Sequence, residues 1–361
     1  MGYEVFISEL SKRKEKVYNY LHSSRFQELF CPRHAYDSVY SYTKHGGKAL
    51  RPAVLLFSCG AAGGDEEMAI PAAAAVEVFH IWTMVHDDII DRDIKRHGGL
   101  TVHEEFRRRA ISELGYNEAD ARHYGLSIAM LAGDMQQGWA VSMLSELASH
   151  NHIDPHLVLY LIKDSEIYVQ STLIEGQILD IQYSRTPVDS LSQDQILDML
   201  WKKTGVLYEF SSKAGAMLGL NTKDPEHWLV QAIVSFAGRC GVAFQLQDDI
   251  LGIVGDEKTL GKPVGSDIRE GKRTVILCHA FKNANNEQKD KLTKIVGSEM
   301  ATDEEIEQVK KSLKDLGGID YAKELARSYI EDALVYLNKI PQSKYRDLLY
   351  LWAEYMTERE F

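Results

Sequence analysis

The sequence predicts an all-α protein built as a single helical domain, and three observations carry that reading. Apolar residues recur at helical period along most of the 361 residues. Proline, which breaks helix interiors, occurs only 8 times. No convincing series of alternating strands appears. Hydrophobic residues make up 45 % of the chain, enough for a substantial core. No linker or low-complexity tract divides it, so residues 1–361 read as one domain.

The elements follow in order. Residues 70–91, IPAAAAVEVFHIWTMVHDDIID, are alanine-rich and mostly apolar, with Pro71 near the start, where a helix tolerates it. A helix apolar around most of its surface belongs in a core. Further helical stretches lie near 123–148 and 156–182. Ser192 with Gln195 forms a capping-box pattern ahead of ILDMLWKKTGVLYEF, and Thr302 with Glu305 does so ahead of IEQVKKSL. Asp224-Pro225 reads as a cap and first-turn proline before a run to about Ile253. Helices are also expected near 274–284, 319–338 and 344–358. Loops are expected at 45–47, 95–99, 184–190 and 255–272.

Composition narrows the function. The net charge of −12 is a poor match to nucleic acid, which favours a broad basic footprint. The four cysteines, Cys31, Cys59, Cys240 and Cys278, are scattered without a C-x-x-C pair, as incidental thiols of a reducing compartment would be. The opening MGYEVFISELSKRKEK lacks the apolar core of a signal peptide. Phe6 stands where a myristoylation signal would carry Ser or Thr. No apolar run reaches the ~18 residues of a membrane span, so the expectation is a cytoplasmic protein with no span.

Two acidic clusters dominate. In HDDIIDRD, Asp87 and Asp91 lie one helical turn apart on one face, with Asp88 about 100° round. Stacked carboxylates repel unless a cation lies between them. Oxygen-only ligands suit magnesium, which takes few carboxylates together with waters and phosphate oxygens. In QLQDDILG, Gln245, Asp248 and Asp249 again share a face. Cations follow each cluster: Arg96 and His97 after the first, and Lys258, Lys262, Arg269, Lys272 and Arg273 among glycines after the second. A basic, glycine-rich loop of that kind could close over a metal-diphosphate group. GGKALRP supplies Lys48 and Arg51 as a candidate second anion site, and WKKTG supplies Lys203 and Thr204.

Taken together and in order, GGKALRP, DDIID with its downstream Arg96, GQILD at 176–180 and QDDILG with GKPVGSDIREGK resemble the trans-type isoprenyl diphosphate synthases, which couple prenyl units head to tail. The resemblance runs from about Gly46 to Arg273. It implies a helical bundle around a deep central cavity, commonly a homodimer. It implies magnesium, three ions, with Asp87 and Asp91 as ligands on one wall, Asp248 on the other, and Asp88 and Asp249 in support. Arg96, Lys203, Thr204, Gln245, Lys262 and Lys272 match positions that contact the allylic diphosphate (dimethylallyl, geranyl or farnesyl) or flank the developing cation. Lys48, Arg51 and His80 match the isopentenyl diphosphate site. Gln177 and Asp180 match the GQxLD motif. The implied chemistry is magnesium-assisted ionisation of the allylic diphosphate, attack by the double bond of isopentenyl diphosphate, and proton loss to the departed diphosphate.

Several positions depart from the usual pattern. His97 stands where a second Arg would grip isopentenyl diphosphate, Ala49 replaces a common basic residue, Leu100 a common Pro, and Gly252 ends the second motif in place of Asp. Residues 104–124 are longer than usual. Product length in the family is set beneath the first cluster, where Phe79, Trp82 and Thr83 lie. Trp82 and Phe79 as a bulky floor imply fifteen or twenty carbons, with twenty favoured. Two other readings are a class I terpene cyclase, which lacks this second motif and has no need of Lys48, Arg51 and His80, and a non-catalytic modulatory subunit of a prenyl synthase, in which acidic residues tend to be lost.

Overall fold

The computed structural model describes residues 2–96, 98–149, 152–255, 265–298 and 300–358. His97, Lys258 and Lys262, three of the candidate basic residues, lie outside them. Almost every described element is helical, and the protein is all-α.

The chain forms two compact units, each assembled from two stretches: Met1–Ile162 with Ser211–Pro225, and Lys163–Phe210 with Glu226–Phe361. In the first unit the central helix is α1, Ile70–Asp91, buried for most of its length. Helices Gly2–Leu21, Leu50–Ala61 and Glu118–Glu146 pack on it. The alanine run from Ala72 to Ala75 has no more than 1 % exposure, and such small side chains let neighbouring helices approach closely. In the second unit the central helix is α2, Trp228–Val254, flanked by Gly318–Leu337 and Lys344–Glu358. Each acidic cluster therefore occupies the C-terminal end of the most apolar long helix of its unit.

The two expected capping boxes are present: Ser192 and Gln195 exchange bonds at the start of Gln193–Leu200, and Thr302 and Glu305 at the start of Asp303–Asp315. A third, Asn285 with Gln288, caps Asn286–Ile295, a helix too polar to show in the apolar pattern. The expected cap at Asp224-Pro225 is corrected. The helix begins at Trp228, where the His227 side chain accepts from the Leu229 amide. The expected loop at 95–99 contains a minimal antiparallel pair, Lys95–Arg96 with Gly99–Leu100, and the loop at 255–272 includes the short helix Ser266–Glu270. The longer segment at 104–124 is helix Val102–Leu114 and the start of Glu118–Glu146.

The expectation that no run is long and apolar enough to cross a membrane is also corrected. Glu66–Asp91 and Trp228–Val254 have that length and composition, but 78 % and 67 % of their apolar windows are buried inside the protein. Apolar residues at that density serve a core as readily as a bilayer. All four cysteines are free, with Cys31 exposed and the rest buried.

Candidate active site

The first cluster is divided by burial. Asp88 has 0 % exposure, whereas Asp87 and Asp91 are partly exposed. The spacing causes this: Asp88 falls on the face of α1 that packs inward, and its neighbours fall on the rim. A buried carboxylate needs partners, and Asp88 has them. Tyr42 donates its hydroxyl to Oδ2. Arg96 donates from Nε to Oδ1 at 2.8 Å and from Nη2 to the same oxygen. Burial pushes the Asp88 carboxyl up to about 6, with the Arg96 charge and both hydrogen bonds working against the rise. Burial acts to lower Arg96, but the Asp88 charge, the hydrogen bonds to Asp88 and the charges of Asp87 and Asp93 together outweigh it and keep the guanidinium protonated. Arg96 also lies 3.4 Å from Asp93 and 3.8 Å from Asp87.

Lower on α1, Arg51 Nη1 donates to His80 Nε2 at 2.9 Å. A guanidinium can only donate, so His80 accepts there and carries its proton on Nδ1. One turn from His80 lies Glu77, which is buried; burial raises its pKa, and the Tyr18 hydrogen bond and the Arg51 charge partly offset the rise. The Tyr18 hydroxyl donates to Glu77 at 2.9 Å and accepts from the Gly47 amide at 3.3 Å. The GGK loop is thus tied to α1, and Lys48, exposed on that loop, follows directly. Gly46 ends the preceding helix at φ 70°, a left-handed conformation that favours glycine.

Phe79, Trp82 and His86 form an aromatic ridge on α1. Phe79 and Trp82 meet edge to face at 5.0 Å between centroids, and Trp82 and His86 at 5.9 Å. Phe79 and Trp82 are buried. Thr83 donates its hydroxyl to the His80 carbonyl at 2.8 Å.

The second unit carries a different network. Thr204 donates to Gln245 Oε1 at 2.8 Å, and Gln245 Nε2 donates to Asp249 Oδ1 at 3.0 Å. Asp249 is buried, and among the described residues its Oδ2 has no hydrogen-bond partner. Burial pushes its carboxyl up to about 7, the Asp267 charge adds to the rise, and Gln245 and Lys272 oppose it. Lys203 Nζ binds Asp180 Oδ2 at 2.6 Å. Lys272 lies 3.2 Å from Asp267 and 3.0 Å from Glu270. Asp248 is partly exposed.

Two backbone features aim these side chains. Trp201–Gly205, which carries Lys203 and Thr204, is a π-helical turn, a distortion frequent at functional sites. Helix Gln170–Tyr183 lies against it so closely that a Cβ at Gly176 would sit 2.4 Å from the Lys203 nitrogen. The glycine of GQILD is therefore a packing requirement, and it brings Asp180 to Lys203. Gln177 Nε2 is buried and has no hydrogen-bond partner among the described residues.

The donor set fits magnesium shared with a substrate. Among the described residues no three His, Cys, Asp or Glu groups gather into a metal cage. What the chain offers is partly exposed carboxylates at Asp87, Asp91 and Asp248, beside buried ones already engaged in hydrogen bonds. Magnesium is commonly held in this way, by one or two carboxylates, waters and phosphate oxygens. The sequence singles out the aspartates but gives no sign of Tyr18, Tyr42 and Glu77 as hydrogen-bonding partners. A lone Tyr or Glu in a helix carries no motif, and only folding shows its partner.

An all-helical fold with two acidic helix ends, each flanked by cations, defines a class of enzyme that handles diphosphates with divalent metal. A family model described as Polyprenyl synthetase matches residues 33–313. The geranylgeranyl diphosphate synthase of Sulfolobus acidocaldarius is 35 % identical over 84 % of this chain and 84 % of its own. The crystal structure of geranylgeranyl pyrophosphate synthetase from Pyrococcus horikoshii is 33 % identical, with a TM-score of 0.84 and complete coverage of both chains. A geranylgeranyl pyrophosphate synthase from Corynebacterium glutamicum, complexed with isoprenyl diphosphate and magnesium, is 27 % identical with a TM-score of 0.82 over 99 % of each chain. The chain belongs to the polyprenyl synthetase family and is a trans-prenyltransferase.

Proposed function

We propose that the enzyme condenses isopentenyl diphosphate with an allylic diphosphate, dimethylallyl, geranyl or farnesyl, to make geranylgeranyl diphosphate, with farnesyl diphosphate the next candidate. The observation that carries this reading is the presence, in one family member, of both aspartate clusters together with their flanking cations. Asp87, Asp91 and Asp248 hold magnesium, three ions in all. When bound, the metal offsets charge on the diphosphate.

The chain's own residues do the rest. Arg96, Lys203 and Lys272, with Lys262, grip the allylic diphosphate, and charge-assisted bonds of this kind are the strong ones. Thr204 and Gln245 present oriented oxygens to the developing cation, and Gln177 and Asp180 assist. Asp249 holds Gln245 in register, as its 3.0 Å bond indicates. Lys48, Arg51 and His80, with His97, take isopentenyl diphosphate. Trp82 and Phe79 floor the pocket beside Thr83 and exclude water from the cation. The working form is a cytoplasmic homodimer.

Incubation with radiolabelled isopentenyl diphosphate, each allylic starter and magnesium should give a twenty-carbon diphosphate, and chelation should abolish it. Trp82→Ala and Phe79→Ala should lengthen the product. Hydrocarbon release from farnesyl diphosphate alone would instead mark a terpene cyclase. No turnover by the isolated protein would mark a modulatory subunit.

A further inference from the structure

We propose that Tyr42 is a positioning residue for Arg96, acting through Asp88. The inference rests on the prenyltransferase reading, because it treats Arg96 as a diphosphate ligand.

The Asp88 carboxylate is fully buried, and its two oxygens have separate owners. Tyr42 holds Oδ2, and Arg96 holds Oδ1 through Nε and Nη2. Two N–H donors from one edge of the guanidinium converge on a single oxygen and hold that edge against the carboxylate. Those bonds, and the longer approach to Asp93, engage Nε and Nη2. Among the described residues none engages Nη1, whose hydrogens face an incoming anion in this reading. The orientation of the carboxylate decides where the Nη1 hydrogens point, and the Tyr42 hydroxyl fixes that orientation from the opposite side.

The Tyr42 ring has a separate role. It packs in a buried cluster with Ile81, Val85, Val102, Phe106, Ala129 and Ala132. A phenylalanine would keep that packing and lose only the hydroxyl. The carboxylate would then turn toward its remaining donor and carry the guanidinium with it. Tyr42 also sits on Ser41–His45, the short helix that runs directly into Gly46 and Gly47. One hydroxyl therefore ties the acidic end of α1 to the GGK loop.

The test is a double-mutant cycle of Tyr42→Phe with Arg96→Lys, read by calorimetric binding of inorganic diphosphate with magnesium and by steady-state kinetics. In the Arg96 background, Tyr42→Phe should weaken diphosphate binding about tenfold, the usual scale for a bond to a charged group. The KM for the allylic substrate should rise by a similar factor, while that for isopentenyl diphosphate moves less than about twofold on the same scale. In the Arg96→Lys background the same substitution should change binding less than about twofold, since no fork remains to aim. Equal effects in both backgrounds, unchanged binding in the first, or failure of Tyr42→Phe to fold in either would each overturn the inference. The readouts separate the two ideas: a wild-type protein that binds diphosphate but makes no prenyl product defeats the proposed function and leaves the cycle intact as a test of Tyr42.

Discussion

The two Asp-Asp pairs are spelled alike and built differently. Each lies in the last turns of an apolar helix, and in each one aspartate is buried while the other is partly exposed. In the first unit the buried member, Asp88, faces a guanidinium and a phenol. In the second, the buried member, Asp249, faces an amide and the field of another acid, Asp267. Burial raises both, to about 6 and about 7. The same dipeptide thus supplies a carboxylate that seats a cation in one place and a carboxyl that orders an amide in the other.

The sharpest way to break that contrast is truncation. Asp88→Ala strands the Arg96 charge, and removing one partner of a buried pair costs about 3–5 kcal/mol. Asp249→Ala strands only amide hydrogens and should cost about 1–3 kcal/mol. Urea unfolding of the two variants compares them directly, and equal losses would erase the distinction.

A second effect concerns pH. The Asp249 carboxyl is raised above its ordinary 3.8 to about 7. Its stabilising contribution is complete below about pH 4 and is lost as pH rises through about 7. In metal-free protein, Asp249→Asn should abolish that decline and gain on the order of 3 kcal/mol at pH 8 relative to its effect at pH 4. Melting curves with chelator across that range would show it, and parallel pH profiles for both proteins would count against it.

The smallest expected effect has the opposite sign. Glu104 accepts from Arg107 at 2.7 and 2.8 Å and from Arg108 at 2.7 Å. The Arg107 bonds hold its carboxyl down at about 2. That contribution is present above about pH 4.5 and lost as pH falls through about 2. Both arginines are partly solvated, so Glu104→Gln should cost no more than about 1 kcal/mol at pH 7. The difference from wild type should vanish near pH 2 in chemical denaturation.

The legible parts of the molecule were those set by local rules. The helix at 70–91, the capping boxes at Ser192 and Thr302 and both acidic clusters follow from periodicity, hydrogen-bonding side chains at fixed spacing and charge. The illegible parts depend on residues distant in sequence. Tyr42 finds Asp88 across 46 positions. Helix Gly2–Leu21 is too mixed in polarity to declare itself, and it is buried at Phe6, Leu10 and Val17 only because a partner exists. The start at Trp228 was misplaced because Asp224-Pro225 has the chemistry of a cap, while His227 supplies the acceptor that the helix uses.

The wide turn at Trp201–Gly205 has a consequence for how such a chain can change. It contains a residue beyond what regular α-helical winding requires. Deleting any one residue there would restore ordinary winding, yet would swing part of the turn round by about 100°. The Asp180 and Gln245 partners of Lys203 and Thr204 would then face the wrong neighbours. Most substitutions in this stretch alter one side chain, but a single-codon loss would re-index every partner of the turn at little cost to the helix itself.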